Sequence, residues 1–148
     1  MNASVSVVTQ KKPPPDQTPD SPEIANIKDS NLVGGCGCYF QSLPESRRRS
    51  DRFIFGAGID EEYAWMNIDG KDVKLTLVAS SKSSVERIGT RSYEKYRADG
   101  VRVRADYVVT RVCKSKDENC ESTSYAVTFS ITNGGRKSVI KGRGTCGC

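Results

Sequence analysis

The chain has 148 residues, 36% of them hydrophobic and 28% charged, a size that suits one domain and leaves no room for a second large one. Basic residues exceed acidic ones by 23 to 18, and there is no histidine, which excludes Ser/His/Asp and Cys/His nucleophile systems, HExxH zinc sites and an imidazole proton shuttle. No apolar run approaches the ~20 residues that a membrane-crossing helix needs.

Residues 1–35 read as a disordered, Pro-rich tether. Lys11-Lys12-Pro13-Pro14-Pro15 is followed by a polar stretch rich in Asp, Ser, Thr and Pro, which favours an extended spacer over core. Met1 to Val8 carries three valines but neither a basic n-region nor a long apolar stretch, so either the protein is cytosolic or an export signal lies upstream of this start. The tether holds three lysines (Lys11, Lys12, Lys28) against four acids (Asp16, Asp20, Glu23, Asp29), so the excess positive charge belongs to the body.

From Gly34 onward, short apolar alternations are broken by turn residues, and no stretch keeps helical spacing. The expected strands are 36–41, 53–55, 63–68, 71–79, 91–98, 101–113, 121–132 and 137–148. Asp69-Gly70, Asp99-Gly100 and Asn133-Gly134-Gly135 are hairpin turn signals, because these residues tolerate positive φ. Val103, Ala105, Tyr107 and Val109 share one face, as do Tyr125, Val127, Phe129 and Ile131, while Arg102 and Arg104 share the opposite face. Hairpin connections throughout predict an antiparallel all-β domain over 36–148, a small barrel or sandwich of about eight strands. Trp65, adjacent to Met66, is expected in the core; in a barrel mouth it would mark a ligand site instead.

Six cysteines fall into three pairs. Cys113 and Cys120 flank the reversal between two strands, which predicts a disulfide across the hairpin. Cys36 and Cys38 open the domain and Cys146 and Cys148 end it. Residues i and i+2 of a strand share a face, so neighbouring first and last strands bring four sulfurs together. Cross-strand disulfides and a four-cysteine metal site both fit. The CxC spacing and the Cys113–Cys120 pair favour disulfides in an oxidising compartment. A redox-active CGC pair is a third reading, although the sequence displays no activating group.

The acidic run Asp60-Glu61-Glu62 reads as hydrated loop, and no residue is assigned a catalytic role. Loops 42–52 and 80–90 are basic, and an anionic partner is expected on Arg47, Arg48, Arg49, Arg87 and Arg91. Arg97 and Arg102 flank a tight turn and can sit side by side toward phosphates or anionic glycans. With most aromatics assigned to the core face, base-stacking platforms are not evident and nucleic acid is not an expected partner.

The segment Ala64-Trp65-Met66-Asn67-Ile68-Asp69-Gly70-Lys71, followed by Val73 to Leu77, Gly89 to Tyr93, the Cys113 and Cys120 hairpin and a terminal CGC, resembles uncharacterised bacterial exported or lipoprotein-type proteins. That resemblance implies an envelope protein tethered behind a signal sequence, and it brings no activity. Size, disulfide use and strand pattern are also similar to small periplasmic lysozyme inhibitors, whose inhibitory loop centres on Ser-Gly-x-x-Tyr. Here Ile88-Gly89-Thr90-Arg91-Ser92-Tyr93 lacks the serine before glycine.

The expectation is a non-catalytic, cofactor-free binding or interaction module, periplasmic or in the outer cell envelope, for an unknown protein or anionic glycan. The alternatives are a periplasmic inhibitor of a cell-wall hydrolase and a zinc-binding or thiol-redox protein built on the four CGC cysteines.

Overall fold

The computed structural model describes residues 21–83, 86–114 and 120–148, in which alternating inward and outward side chains draw the chain into nine strands. These are β1 (Ile24–Ala25), β2 (Gly37–Ser42), β3 (Phe55–Gly58), β4 (Tyr63–Ile68), β5 (Lys71–Ser80), β6 (Arg91–Ala98), β7 (Val101–Arg111), β8 (Ser122–Asn133) and β9 (Arg136–Gly147), with the short helix α1 (Leu43–Arg47) after β2. Neighbours run β4-β3-β2-β9-β8-β7-β6-β5, and β5 pairs back onto β4. Strands β2 to β9 therefore close into an eight-stranded antiparallel barrel, which resolves the choice between barrel and sandwich. Closure leaves the eight strands no long unpaired edge.

Two turns show why the chain reverses where it does. Asp69 and Gly70 have φ of 51° and 85°, and Gly134 and Gly135 have 60° and 87°, so both central residues of each hairpin are left-handed, as the twist of paired strands favours.

Inside, Phe40 touches Phe55, Tyr107, Tyr125 and Phe129, and Phe55 stacks on Phe129 at 4.9 Å. Met66, Leu75, Val103, Val109, Val127 and Ile131 fill the rest, each at most 3% exposed. A Cβ at Gly144 would collide with the Tyr39 carbonyl and the Phe40 ring, so only glycine lets β9 approach β2 this closely.

The structure corrects three expectations. Residues 21–35, read as the end of the tether, pack on the barrel: β1 pairs with β4 through Ile24↔Ile68 and Ala25↔Asn67, and Ile24 is buried. Residues 1–20 lie outside the described residues. Arg47 closes α1 instead of lying in a loop, because Ser42 accepts the Glu45 N–H as N-cap and Pro44 fits the first turn. Trp65 is not core, since Ala64 and Met66 take the inner face. Six of the eleven rings, Phe40, Phe55, Tyr96, Tyr107, Tyr125 and Phe129, are core, and Tyr39, Phe53, Tyr63, Trp65 and Tyr93 are half-buried.

Candidate functional site

The outer surface of β5 to β9 is a sheet face on which register fixes every neighbour. One row runs Tyr63, Thr76, Arg97, Arg102, Thr132, Lys137 across six strands. The next row carries Lys95, Arg104, Ser130 and Val139. Arg97 therefore sits directly opposite Arg102, and Lys95 opposite Arg104. Like charges opposite each other on a sheet are destabilising by a few tenths to about 1 kcal/mol per pair.

Neutralisation is sparse. Asp106 bridges Arg104 at 3.0 Å, but neither Arg97 nor Arg102 has an ion pair among the described residues. Asp106 is also the only acid among the outward residues of β6 to β9 in the described chain. Arg104 lies over Tyr93, with its Cζ 4.5 Å from the ring centre. A groove of about 420 Å³ runs between these side chains, lined by Val78, Lys95, Arg97, Arg102, Arg104, Ser130 and Thr132. A bulge between Leu77 and Ala79 leaves Val78 at its rim, 54% exposed. The arrangement offers guanidinium forks and hydroxyls to an anion, and no nucleophile paired with a base.

The sequence-predicted basic residues are divided. Arg47, Arg48 and Arg49 follow β2, whereas Arg87 and Arg91 precede and open β6, and three strands separate β2 from β6 in either direction round the barrel. The two groups lie on opposite sides. Arg48, just past the end of α1, bridges Glu45 at 3.7 Å and is 72% exposed, a weak pair. Gly89, in the turn that carries Ile88, is pinned to β7 by its N–H donating to the Val109 carbonyl at 2.8 Å. The paired arginines, Arg97 and Arg102, were the part of the charge pattern that the turn at Asp99-Gly100 made readable.

All six cysteines are oxidised: Cys36–Cys148, Cys38–Cys146 and Cys113–Cys120. The four CGC sulfurs meet because β2 pairs with β9, with Cys38 opposite Cys146. They are spent on disulfides, which replaces the alternative of a metal site on Cys36, Cys38, Cys146 and Cys148. The hairpin pair Cys113–Cys120 forms as expected, and residues 115–119 between them lie outside the described residues. Three disulfides point to an oxidising, extracytoplasmic environment. Among the described residues no helix is long and apolar enough to cross a membrane.

At the barrel end beside Cys146 lies a polar network that sequence reasoning missed. Glu94 points inward from β6, where its Oε1 accepts from the Tyr107 hydroxyl at 2.7 Å and the Tyr96 hydroxyl at 3.2 Å. Lys82 reaches in from the 81–90 loop, with its Nζ 3.7 Å from the same oxygen, 4.3 Å from the Tyr107 ring centre and 3.6 Å from Cys146 Sγ. Tyr125 donates to the Glu86 carboxylate at 2.5 Å. Burial, reinforced by the Glu94 carboxylate, pushes the Tyr96 and Tyr107 hydroxyls far above the ordinary tyrosine range, so both stay protonated as donors. The only signal in the sequence was Glu94 falling two residues before Tyr96 on one face.

No family profile matches the chain, and neither curated proteins nor solved structures give a match.

Proposed function

We propose that this barrel is a non-catalytic binding module of the bacterial cell envelope that holds an anionic polymer or an acidic partner surface against the outer face of β5 to β9. The observation that carries the reading is the register of Arg97 with Arg102 and of Lys95 with Arg104. These pairs cost stability in the free protein, and a bound anion removes that cost while gaining charge-assisted hydrogen bonds. Exposed cations also steer an anion toward the face before contact, an attraction that salt screens within about 8 Å at physiological ionic strength. An envelope location agrees with the disulfides and with the lipoprotein-like motif order.

The test compares two charge reversals of equal size. Binding to dextran sulfate is measured for Arg97→Glu with Arg102→Glu, and for Arg47→Glu with Arg48→Glu. The first pair is expected to weaken binding at least tenfold and to flatten its salt dependence, and the second to change it less than threefold. Equal losses from the two pairs would leave only net charge at work and overturn the reading.

A further inference from the structure

The row of cations ends on aromatic rings. Tyr63 occupies the same row as Arg97, two strands away, about 10 Å at the usual strand spacing. Trp65 lies one pleat further along β4, about 7 Å on, facing out with it. The two rings pack at 88°, 6.5 Å apart, so they form a perpendicular pair and not a parallel stack; Trp65 is half-buried on the outer side of β4. Lys74, opposite Trp65, sits 4.1 Å over the Tyr63 ring and adds a further cation at this end. Thr76 and Thr132 flank the arginine pair within the row, so a hydroxyl stands on each side of the two guanidinium groups.

We propose that the ligand of this face is an acidic polysaccharide, with its carboxylates on Arg97 and Arg102 and a sugar ring laid on Trp65. The assignment rests on the basic face being the binding face, and it deepens that reading. A pyranose ring has an apolar C–H face that covers an indole, a rim of hydroxyls that threonines can satisfy, and in acidic sugars a planar carboxylate that suits a guanidinium fork. A single-stranded nucleic acid instead needs successive platforms for successive bases, and two rings set perpendicular to each other do not supply parallel ones.

Trp65 is the chain's one tryptophan, so its emission reports on this end of the row alone. The full chain is titrated separately with oligogalacturonate, inorganic polyphosphate and oligo-dT, with affinities taken from calorimetry. Oligogalacturonate is expected to change Trp65 emission, and Trp65→Ala to weaken its binding at least fivefold while changing polyphosphate binding less than twofold. Trp65→Phe, which keeps a ring, is expected to recover most of the loss, and an unchanged urea midpoint confirms that the variants fold. Silent Trp65 emission at saturation, or an equal loss for polyphosphate, overturns the sugar subsite. Tighter, Trp65-dependent binding of oligo-dT overturns it in favour of nucleic acid. In each of those cases an Arg97- and Arg102-dependent affinity for dextran sulfate leaves the basic face standing, whereas no binding to any polyanion removes both.

Discussion

Glu94 shows how one side chain can hold a barrel end together. It satisfies two tyrosine hydroxyls and a lysine, and its side chain is 13% exposed, so its loss strands three polar groups in a poorly solvated place. Glu94→Ala is expected to cost about 3 kcal/mol, read as a lower urea midpoint at unchanged slope, because breaking a buried pair leaves an uncompensated charge. A loss below about 1 kcal/mol would show that water replaces the carboxylate. Neither Glu94 nor Trp65 was legible from alternation alone. Strand β6 places Ser92 and Glu94 on the same face as Tyr96, so polarity does not mark that face as the inner one. Strand β4 has apolar residues at nearly every position, and Trp65 looked inward as plausibly as Met66. Where both faces are apolar, or where a charge is buried by partners distant in sequence, the two-residue period carries no orientation.

The segment before β2 behaves as an element because two aspartates fasten it. Asp72 accepts the backbone N–H of Lys28 and of Asp29 and the Asn67 side-chain amide, all within 3.2 Å. Asp69 accepts the Glu23 N–H at 3.0 Å and the Asn133 amide at 2.7 Å, and pairs with Arg136 at 2.5 Å, tying the segment to two hairpins. Desolvation alone would raise both carboxyls. The hydrogen bond from Glu23, with those from Arg136 and Asn133, more than offsets it at Asp69, and those from Asn67, Lys28 and Asp29 do so at Asp72, so both lie below the ordinary 3.8. A folded value below the unfolded one means that their contribution is complete above the unfolded pKa and lost as pH falls through the folded value. Melting temperature is therefore expected to drop below about pH 4, and Asp69→Asn with Asp72→Asn to be less stable at neutral pH and flatter in acid. Parallel profiles for the two proteins would contradict this. The strands of the barrel were legible because turn signals such as Asp69-Gly70 bounded them. The segment was not, since a Pro-rich, polar stretch gives no sign of fastenings to residues so distant in the chain, and α1 is a single turn too short to show a period.

Closure of the whole molecule depends on the seam between β2 and β9, where two disulfides span sequence separations of 112 and 108 residues. In the chain-entropy picture they are not independent. Removing either pair by serine substitution opens only a ring of a few residues, about 2 kcal/mol, because the other still closes the long loop. Removing both also releases that loop and costs about 4.7 kcal/mol more, so the double loss is expected to exceed the sum of the single ones in urea unfolding. Simple additivity would argue that native packing of β9 on β2, and not loop closure, sets their contribution. At this scale the repeated CGC at the two ends was the most informative text in the sequence, since its four sulfurs converge once first and last strands are neighbours, as β2 and β9 are. What the sequence left open was how closure aligns the outward residues. The rows that bring Tyr63, Arg97, Arg102 and Lys137 together are set by register across strands and not by spacing along the chain. The most direct measurement of the central claim is amide chemical-shift mapping of the 16.2 kDa protein titrated with oligogalacturonate. Perturbations confined to the outward rows through Thr76, Arg97, Arg102, Arg104 and Thr132, extending to Trp65, are the predicted result; perturbations centred on Arg47 to Arg49 or on the barrel ends would contradict it.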